Sequence, residues 1–341
     1  MGGDSGPAEL VAGAVLAVAA RDLRVTLVGD ETILASELRQ HGSQPGVAQC
    51  IDIVHAPEVV AMDESPIEAL RKKKNSSIAV SFSLLKKKEV DAVVSAGNSG
   101  ATMAAAVRNL GRLPNVSRPG IASVFPTLRQ PMVMMDVGAN VDCRPLHLYQ
   151  FAVMASTFSR MMFNIDRPRV GLLSIGEEAG KGNILVKKTH ALLSDSDLNY
   201  VGNVEGRDCF KGDVHVVVCD GFVGNICLKL SEGLAGAVLT MLKHELSQTL
   251  SARIGAILSR KAFVNLRKVL DYAEYGGAPL LGLNGIGIVC HGKSSPMAIA
   301  NALKVSARMV RSGVCATIAE MMEKSVVEEP DSDHGTEEAD G

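Results

Sequence analysis

Short apolar runs rich in β-branched residues alternate with polar, glycine-bearing loops and then with segments of helical period. Five such units stand out. Residues 90–95 lead into Ala-Gly-Asn-Ser-Gly at 96–100 and a helix through 110. Residues 131–135 lead into Asp-Val-Gly-Ala-Asn at 136–140 and a helix near 146–162. Residues 169–174 lead into a Gly-rich loop at 175–183 and a helix to 193. Residues 214–219 lead into Asp-Gly-Phe-Val-Gly-Asn at 220–225 and a long helix. Residues 286–290 lead into His-Gly-Lys-Ser-Ser at 291–295 and a helix over 296–311. Residues 22–30 read as a further strand, and the Arg-Lys-Lys-Lys at 71–74 precedes another helix.

Alternating strands and helices predict an α/β fold with a doubly wound, mostly parallel sheet and right-handed crossovers. Runs such as Val-His-Val-Val-Val at 214–218 are nearly continuous in apolar character, which fits strands covered on both faces. Strand-to-helix loops of a parallel sheet lie at its carboxyl edge, where ligands bind. The five loops are therefore expected to converge on one polar site.

Composition narrows the class. Of 341 residues, 47 % are hydrophobic and 21 % charged, the balance of a globular chain with a sizeable core. There is no Trp, and Gly reaches 33, which asks for many tight turns. Residues 323–341 carry net −7, so the remainder of the net −2 chain is about +5. We expect one large α/β domain over 1–322 and an acidic, solvated tail. The modestly basic body suits an anionic ligand, an acidic partner or an anionic membrane. Scarce aromatics argue against nucleic acid. Seven cysteines without a C-x-x-C pair read as reduced thiols of a cytosolic protein. The start, Met-Gly-Gly-Asp, lacks the basic-then-apolar pattern of a signal peptide. The apolar stretch 10–20 is too short to span a bilayer.

Residues 234–270 differ from the rest. Leu242, Leu246, Leu250, Ile254 and Leu258 recur every four positions. Arg253, Arg260, Lys261, Arg267 and Lys268 lie among and after them, with Phe263, Leu266 and Leu270 continuing the apolar face. Two helices packed on the core or on a partner subunit satisfy this pattern. So does a basic amphipathic hairpin that touches a membrane.

Phosphate is the ligand the loops suit best. Glycine lets backbone N–H groups at a helix N-terminus approach an anion. The loops holding Gly97, Asn98, Ser99 and Gly100, and Lys181, Gly182 and Asn183, have this form, and Lys181 adds a positive charge. Gly287 to Ser294 also matches G-x-x-x-x-G-K-[ST]. Its variable positions 288–290 read as the strand itself, against a nucleotide-binding loop. No metal-ligand spacing stands out, and nothing asks for a cofactor. His291 sits in a loop of the cluster. Cys290 beside it fits a buried strand end better than a catalytic thiol.

At these loops the sequence resembles one family. The resemblance is carried by Met-Gly-Gly-Asp at 1–4, Ser-Ala-Gly-Asn-Ser-Gly-Ala at 95–101 and Asp-Val-Gly-Ala-Asn at 136–140. It continues through Gly-Glu-Glu-Ala-Gly-Lys-Gly-Asn at 176–183, Gly-Asn-Val-Glu-Gly-Arg-Asp at 202–208 and Asp-Gly-Phe-Val-Gly-Asn at 220–225. The longest stretch is Glu-Tyr-Gly-Gly-Ala-Pro-Leu-Leu-Gly-Leu-Asn-Gly at 274–285, followed by His291-Gly292. These motifs, over 1 to about 315, are similar to the phosphate acyltransferases of bacterial phospholipid synthesis (PlsX). The resemblance implies transfer of a fatty acyl group from acyl-acyl carrier protein to inorganic phosphate. It implies a fold like that of isocitrate and isopropylmalate dehydrogenases and phosphotransacetylase, a homodimer, and peripheral contact with the membrane through 234–270. It also implies a strand ahead of Met-Gly-Gly-Asp. Lys293 stands where a small residue is expected, and the acidic tail is an extension on the pattern.

The chemistry fits these residues. Phosphate is largely ionised at neutral pH, so it needs positioning more than a general base. What remains is to screen its charge and stabilise the oxyanion formed on the thioester. We expect loops 97–100 and 181–183 to hold phosphate, with Lys181 in the cradle. Asn225 and His291 are expected to donate to the oxyanion or the departing sulfur. Asp136, Asn140, Glu178, Glu205 and Asp220 are expected to organise these groups. A covalent route through Cys290 or Cys227 is the alternative mechanism. A decarboxylating dehydrogenase or a non-catalytic scaffold for the carrier protein are the rival functions.

Overall fold

The structure is a computed structural model that describes residues 1–19, 22–41, 46–270 and 276–326. The acidic stretch 327–341, Glu274 and Tyr275 of the longest motif, and the side chains of Arg267, Lys268 and Leu270 lie outside this description.

The strands are β1 (Val25–Gly29), β2 (Ile51–His55), β3 (Ala92–Ser95), β4 (Gly120–Phe125), β5 (Met132–Met135), β6 (Val170–Leu173), β7 (Tyr200–Val204), β8 (Val216–Val218), β9 (Ala278–Leu281) and β10 (Ile286–Val289). The helices are α1 (Gly6–Val18), α2 (Glu31–His41), α3 (Pro66–Lys72), α4 (Ser77–Lys86), α5 (Ser99–Leu110), α6 (Pro145–Phe163), α7 (Ile184–Ser194), α8 (Gly221–Gln248), α9 (Leu250–Leu258), α10 (Arg260–Leu270), α11 (Pro296–Ser312) and α12 (Val314–Lys324).

β3 to β10 form one sheet in the order β3-β10-β9-β4-β5-β8-β6-β7. It is doubly wound. Alternate residues of each strand face two apolar layers, because a central strand has side chains on both faces. Ala122, Val133, Met135, Val170, Leu172, Val216 and Ile288 pack with α6, α11 and α12. Ile121, Met132, Met134, Val217 and Leu280 pack with α4 and α5. The expected strands at 90–95, 131–135, 169–174, 214–219 and 286–290 are all present, slightly shorter.

The sheet is less parallel than the alternation predicts. β3 pairs with β10, and β5, β8, β6 and β7 with one another, in parallel. Between these blocks β9 and β4 run antiparallel to their neighbours. The reversal turns the second block over, so the loops leave the sheet in two sets.

Among the described residues β1 and β2 form a separate two-stranded sheet, in parallel. Between β1 and β3 lies a slot of about 920 Å³. Residues of both strands line it, with Leu10 and Ala14 of α1, Phe82 of α4 and Leu303 of α11 among the apolar lining.

The apolar stretch at 10–20 forms most of α1, which buries Val11, Ala14 and Val15 against β1 and α2. Gly13 lets α1 approach α11, because a Cβ there would meet Ile299 Cβ at 2.6 Å. The expected helical hairpin at 234–270 is three helices. α8 begins at Gly221 and runs to Gln248, and only Gly221 and Gly224 of it are buried. By length and composition α8 could cross a bilayer, although its first turn belongs to the polar loop edge.

Candidate functional site

The carboxyl ends of β5, β8, β6 and β7 lie side by side, so loops 136–140, 220–225, 174–183 and 205–208 form one continuous edge. Asp136 is its foundation. It is fully buried. One carboxylate oxygen accepts from the N–H groups of Ile121, Gly138 and Ala139, and the other from the N–H and side-chain amide of Asn140. Burial pushes the Asp136 carboxyl above its ordinary range, against the pull of these donors. Asp136 therefore builds the loop and has no oxygen turned to a ligand. Asn140 continues the scaffold, donating also to Pro119 O at 2.8 Å.

The next loop locks onto this one. Gly221 N–H donates to Asn140 O at 2.7 Å. A Cβ on Gly224 would fall 1.9 Å from Asp136 O, so only glycine lets α8 start this close. Asp220 caps α8 by accepting from Val223 N–H at 2.9 Å. Asn225 stands one turn later, exposed and over Gly138. Its amide makes no hydrogen bond among the described residues.

Loop 174–183 adds the cation. Glu178 O accepts from Lys181 N–H at 3.0 Å and from the Asn203 amide at 2.9 Å. Gly182 has φ +97°, in the region that favours glycine. Asn183 caps α7 by accepting from Val186 N–H at 2.9 Å. Lys181 is exposed and has no ion pair among the described residues. The Glu178 carboxylate is exposed as well. Arg207 ties the neighbouring loops together, 3.1 Å from Glu205 and 3.9 Å from Glu177. Asn203, Ser174 and Arg207 were not singled out by sequence reasoning. Asn203 and Arg207 sit inside the 202–208 motif, which was the available signal. Ser174 Oγ and Asn203 Oδ1 are buried without a protein partner.

The second set of loops holds Gly97, Asn98, Ser99, Gly100 and His291. Asn98 is buried. Its Oδ1 caps α5 through Ala101 N–H, and its amide donates to Ala61 O, Met62 O and Glu64 O. Asn98 thus ties its loop to segment 61–64 and has no group left for phosphate. His291 is exposed, and its Nδ1 accepts from Lys293 N–H at 3.1 Å. No hydrogen bond or ion pair among the described residues joins this set to the first. The expected single edge is corrected to two polar sets, because β9 and β4 reverse the sheet.

Two sequence readings are resolved here. Residues 286–289 are strand β10, which excludes a nucleotide-binding loop at 287–294. Cys290 is buried, and burial pushes its thiol up to about 12. Burial also raises Cys227. Neither thiol is poised as a thiolate nucleophile.

A doubly wound α/β sheet with polar loops and capped helix N-termini at its carboxyl edge suits the binding of an anion such as phosphate. Among solved structures, the fold is similar to a phosphotransacetylase from Streptococcus pyogenes, with TM-score 0.62, 17 % identity, and coverage of 90 % of this chain and 92 % of that one. It is also similar to 4-hydroxythreonine-4-phosphate dehydrogenase from Klebsiella pneumoniae, with TM-score 0.53, 14 % identity, and coverage of 91 % and 98 %. The fatty acid synthesis protein family model matches residues 1–317. A phosphate acyltransferase from Geotalea uraniireducens is 53 % identical over 325 residues, 95 % of this chain and 93 % of that protein. Another from Pelobacter propionicus is 48 % identical over 341 residues, 100 % and 98 %. The chain belongs to this phosphate acyltransferase family and is an acyltransferase of lipid biosynthesis.

Proposed function

We propose that the protein transfers a fatty acyl group from acyl-acyl carrier protein to inorganic phosphate, releasing acyl phosphate and free carrier. The observation that carries this reading is the exposed pair Lys181 and Asn225. Neither side chain has a hydrogen bond or ion pair among the described residues, and both stand on one carboxyl edge beside the N-termini of α7 and α8.

In this reading the first set of loops is the phosphate half. Lys181 and the backbone of 181–183 screen the dianion and aim it at the thioester carbon. Asn225 donates to the carbonyl oxygen as it gains charge. A phosphate oxygen bonds to the carbonyl carbon, the carbon–sulfur bond breaks, and the electron pair leaves with the carrier's sulfur. The second set, with loop 97–100 and His291, is the donor half. His291 Nδ1 accepts from Lys293 N–H, which leaves Nε2 as the ring nitrogen that can donate a hydrogen bond to the departing sulfur. No acyl-enzyme forms.

Incubating the protein with acyl-acyl carrier protein, with and without phosphate, and trapping the product as its hydroxamate tests the reaction. Phosphate-dependent hydroxamate supports it, and its absence from the folded protein overturns it.

The assembly belongs to the same proposal. α8 exposes Leu230, Leu234, Val238 and Met241, a stripe for a second copy of the chain. α9 and α10 expose Ile254, Ile257, Leu258 and Leu266 beside Arg260 and Lys261, a face for an anionic membrane. The enzyme then works in the cytoplasm, partly at the inner face of the cell membrane. Co-sedimentation with anionic and neutral vesicles tests the contact. Equal binding to both, or none to either, contradicts it.

A further inference from the structure

α3 and α5 pack side by side and leave a surface cleft of about 430 Å³, lined by Ile67, Leu70, Arg71, Lys74 and Arg108. Its floor is apolar and open: Ile67 is 78 % exposed. Its rim is cationic and uncompensated. Nearby charges cancel in pairs, Lys72 with Glu68 at 2.9 Å and Lys73 with Glu64. Arg71 and Lys74 have no ion pair among the described residues. Arg108 donates to Leu70 O at 3.0 Å and meets no carboxylate among the described residues. Three cations around an apolar floor make a surface for an acidic protein.

The cleft is also placed to matter. Asn98 holds segment 61–64, which leads into α3, by three hydrogen bonds to its carbonyls. Pro66, the first residue of α3, lies with its Cγ 2.7 Å from where a Cβ on Gly100 would stand. The docking face and the donor-half loop are thus joined directly.

We propose that this cleft docks the acidic carrier protein that delivers the acyl group. A helix of the carrier sets carboxylates against Arg71, Lys74 and Arg108 while an apolar side chain rests on Ile67 and Leu70. The proposal rests on the acyl-carrier reading above. Nucleic acid is the poorer fit, because the cleft holds no aromatic ring on which a base could stack.

Steady-state kinetics with acyl-acyl carrier protein tests it, using Arg71→Glu/Lys74→Glu with its melting temperature checked against wild type. The KM for the acyl carrier should rise about 10-fold or more, with kcat and the KM for phosphate within about two-fold. Raising NaCl from about 50 to about 300 mM should raise the wild-type KM and barely move that of the variant. Lys304→Glu/Arg308→Glu on α11 should leave all constants unchanged. Wild-type turnover with an unchanged carrier KM in the Arg71/Lys74 variant overturns the docking surface alone. A variant that loses vesicle binding and keeps its carrier KM overturns it in favour of a membrane contact. Wild-type protein that makes no acyl phosphate overturns the acyl-transfer reading, and the docking surface with it.

Discussion

Asn203 and Lys181 meet at one oxygen: the Asn203 amide and the Lys181 N–H both donate to Glu178 O, at 2.9 and 3.0 Å. The floor strand β7 and the turn that presents Lys181 are thereby joined. Asn203→Leu removes one donor and leaves the carbonyl with the other. The KM for phosphate should rise several-fold while the KM for the acyl carrier stays put. A merely structural role would lower the yield of folded protein and leave the ratio of the two KM values alone.

Among the described residues, Lys181 stands in a Gly-rich turn of this edge with no ion pair. Lys181→Ala should raise the phosphate KM or lower kcat by about 10-fold or more, on the order of 1.4 kcal/mol. Unchanged kinetics in folded protein would take Lys181 out of the site.

Asp136 serves the fold of the loop and not the ligand. In Asp136→Asn an NH₂ group faces backbone N–H donors that need an acceptor. The loss should be on the order of 2–4 kcal/mol, read as a lower urea midpoint. A midpoint within error of wild type would show that the loop does not depend on this carboxylate.

His147 gives a pH dependence. It is buried, its Nδ1 accepts from Arg144 N–H, and burial, with Arg118 and Arg144 adding, lowers its pKa to about 4. The unfolded chain protonates this ring near pH 6.5. Between those values the unfolded state binds the extra proton, so stability falls as pH drops from about 6.5 to about 4. His147→Asn keeps an acceptor for Arg144 and cannot titrate. Its stability should be flatter across that window, and an equally steep fall would exclude His147 as the source.

Cys290 lies in the core with its thiol pushed up to about 12. Cys290→Ala should cost some stability and leave kcat within about three-fold. A loss of about 1,000-fold or more would restore the covalent route.

The five strand–loop–helix units were legible because each joins an apolar run to a glycine-bearing turn and a helical period. β4 and β9 were not. β4, Gly-Ile-Ala-Ser-Val-Phe, is buried along its length and leads into no helix. β9 lies inside a Gly- and Pro-rich motif that reads as a loop. Missing both hid the reversal that splits the loops into two sets. Within the site, Lys181, Asn225, Asp220 and Asn183 were legible as polar residues after strands. That Asn98 and Asp136 spend their side chains on the backbone was not. An Asn or Asp after a strand has the same letter whether it binds a ligand or caps a helix, and only its partners in space decide.

Direct attack by phosphate is tested most sharply by following carrier thiol and acyl phosphate together, with phosphate present and then absent. Free thiol and acyl phosphate should appear in equal amounts, and neither without phosphate. Carrier release in a burst stoichiometric with enzyme, before any phosphate is added, would contradict it by revealing an acyl-enzyme.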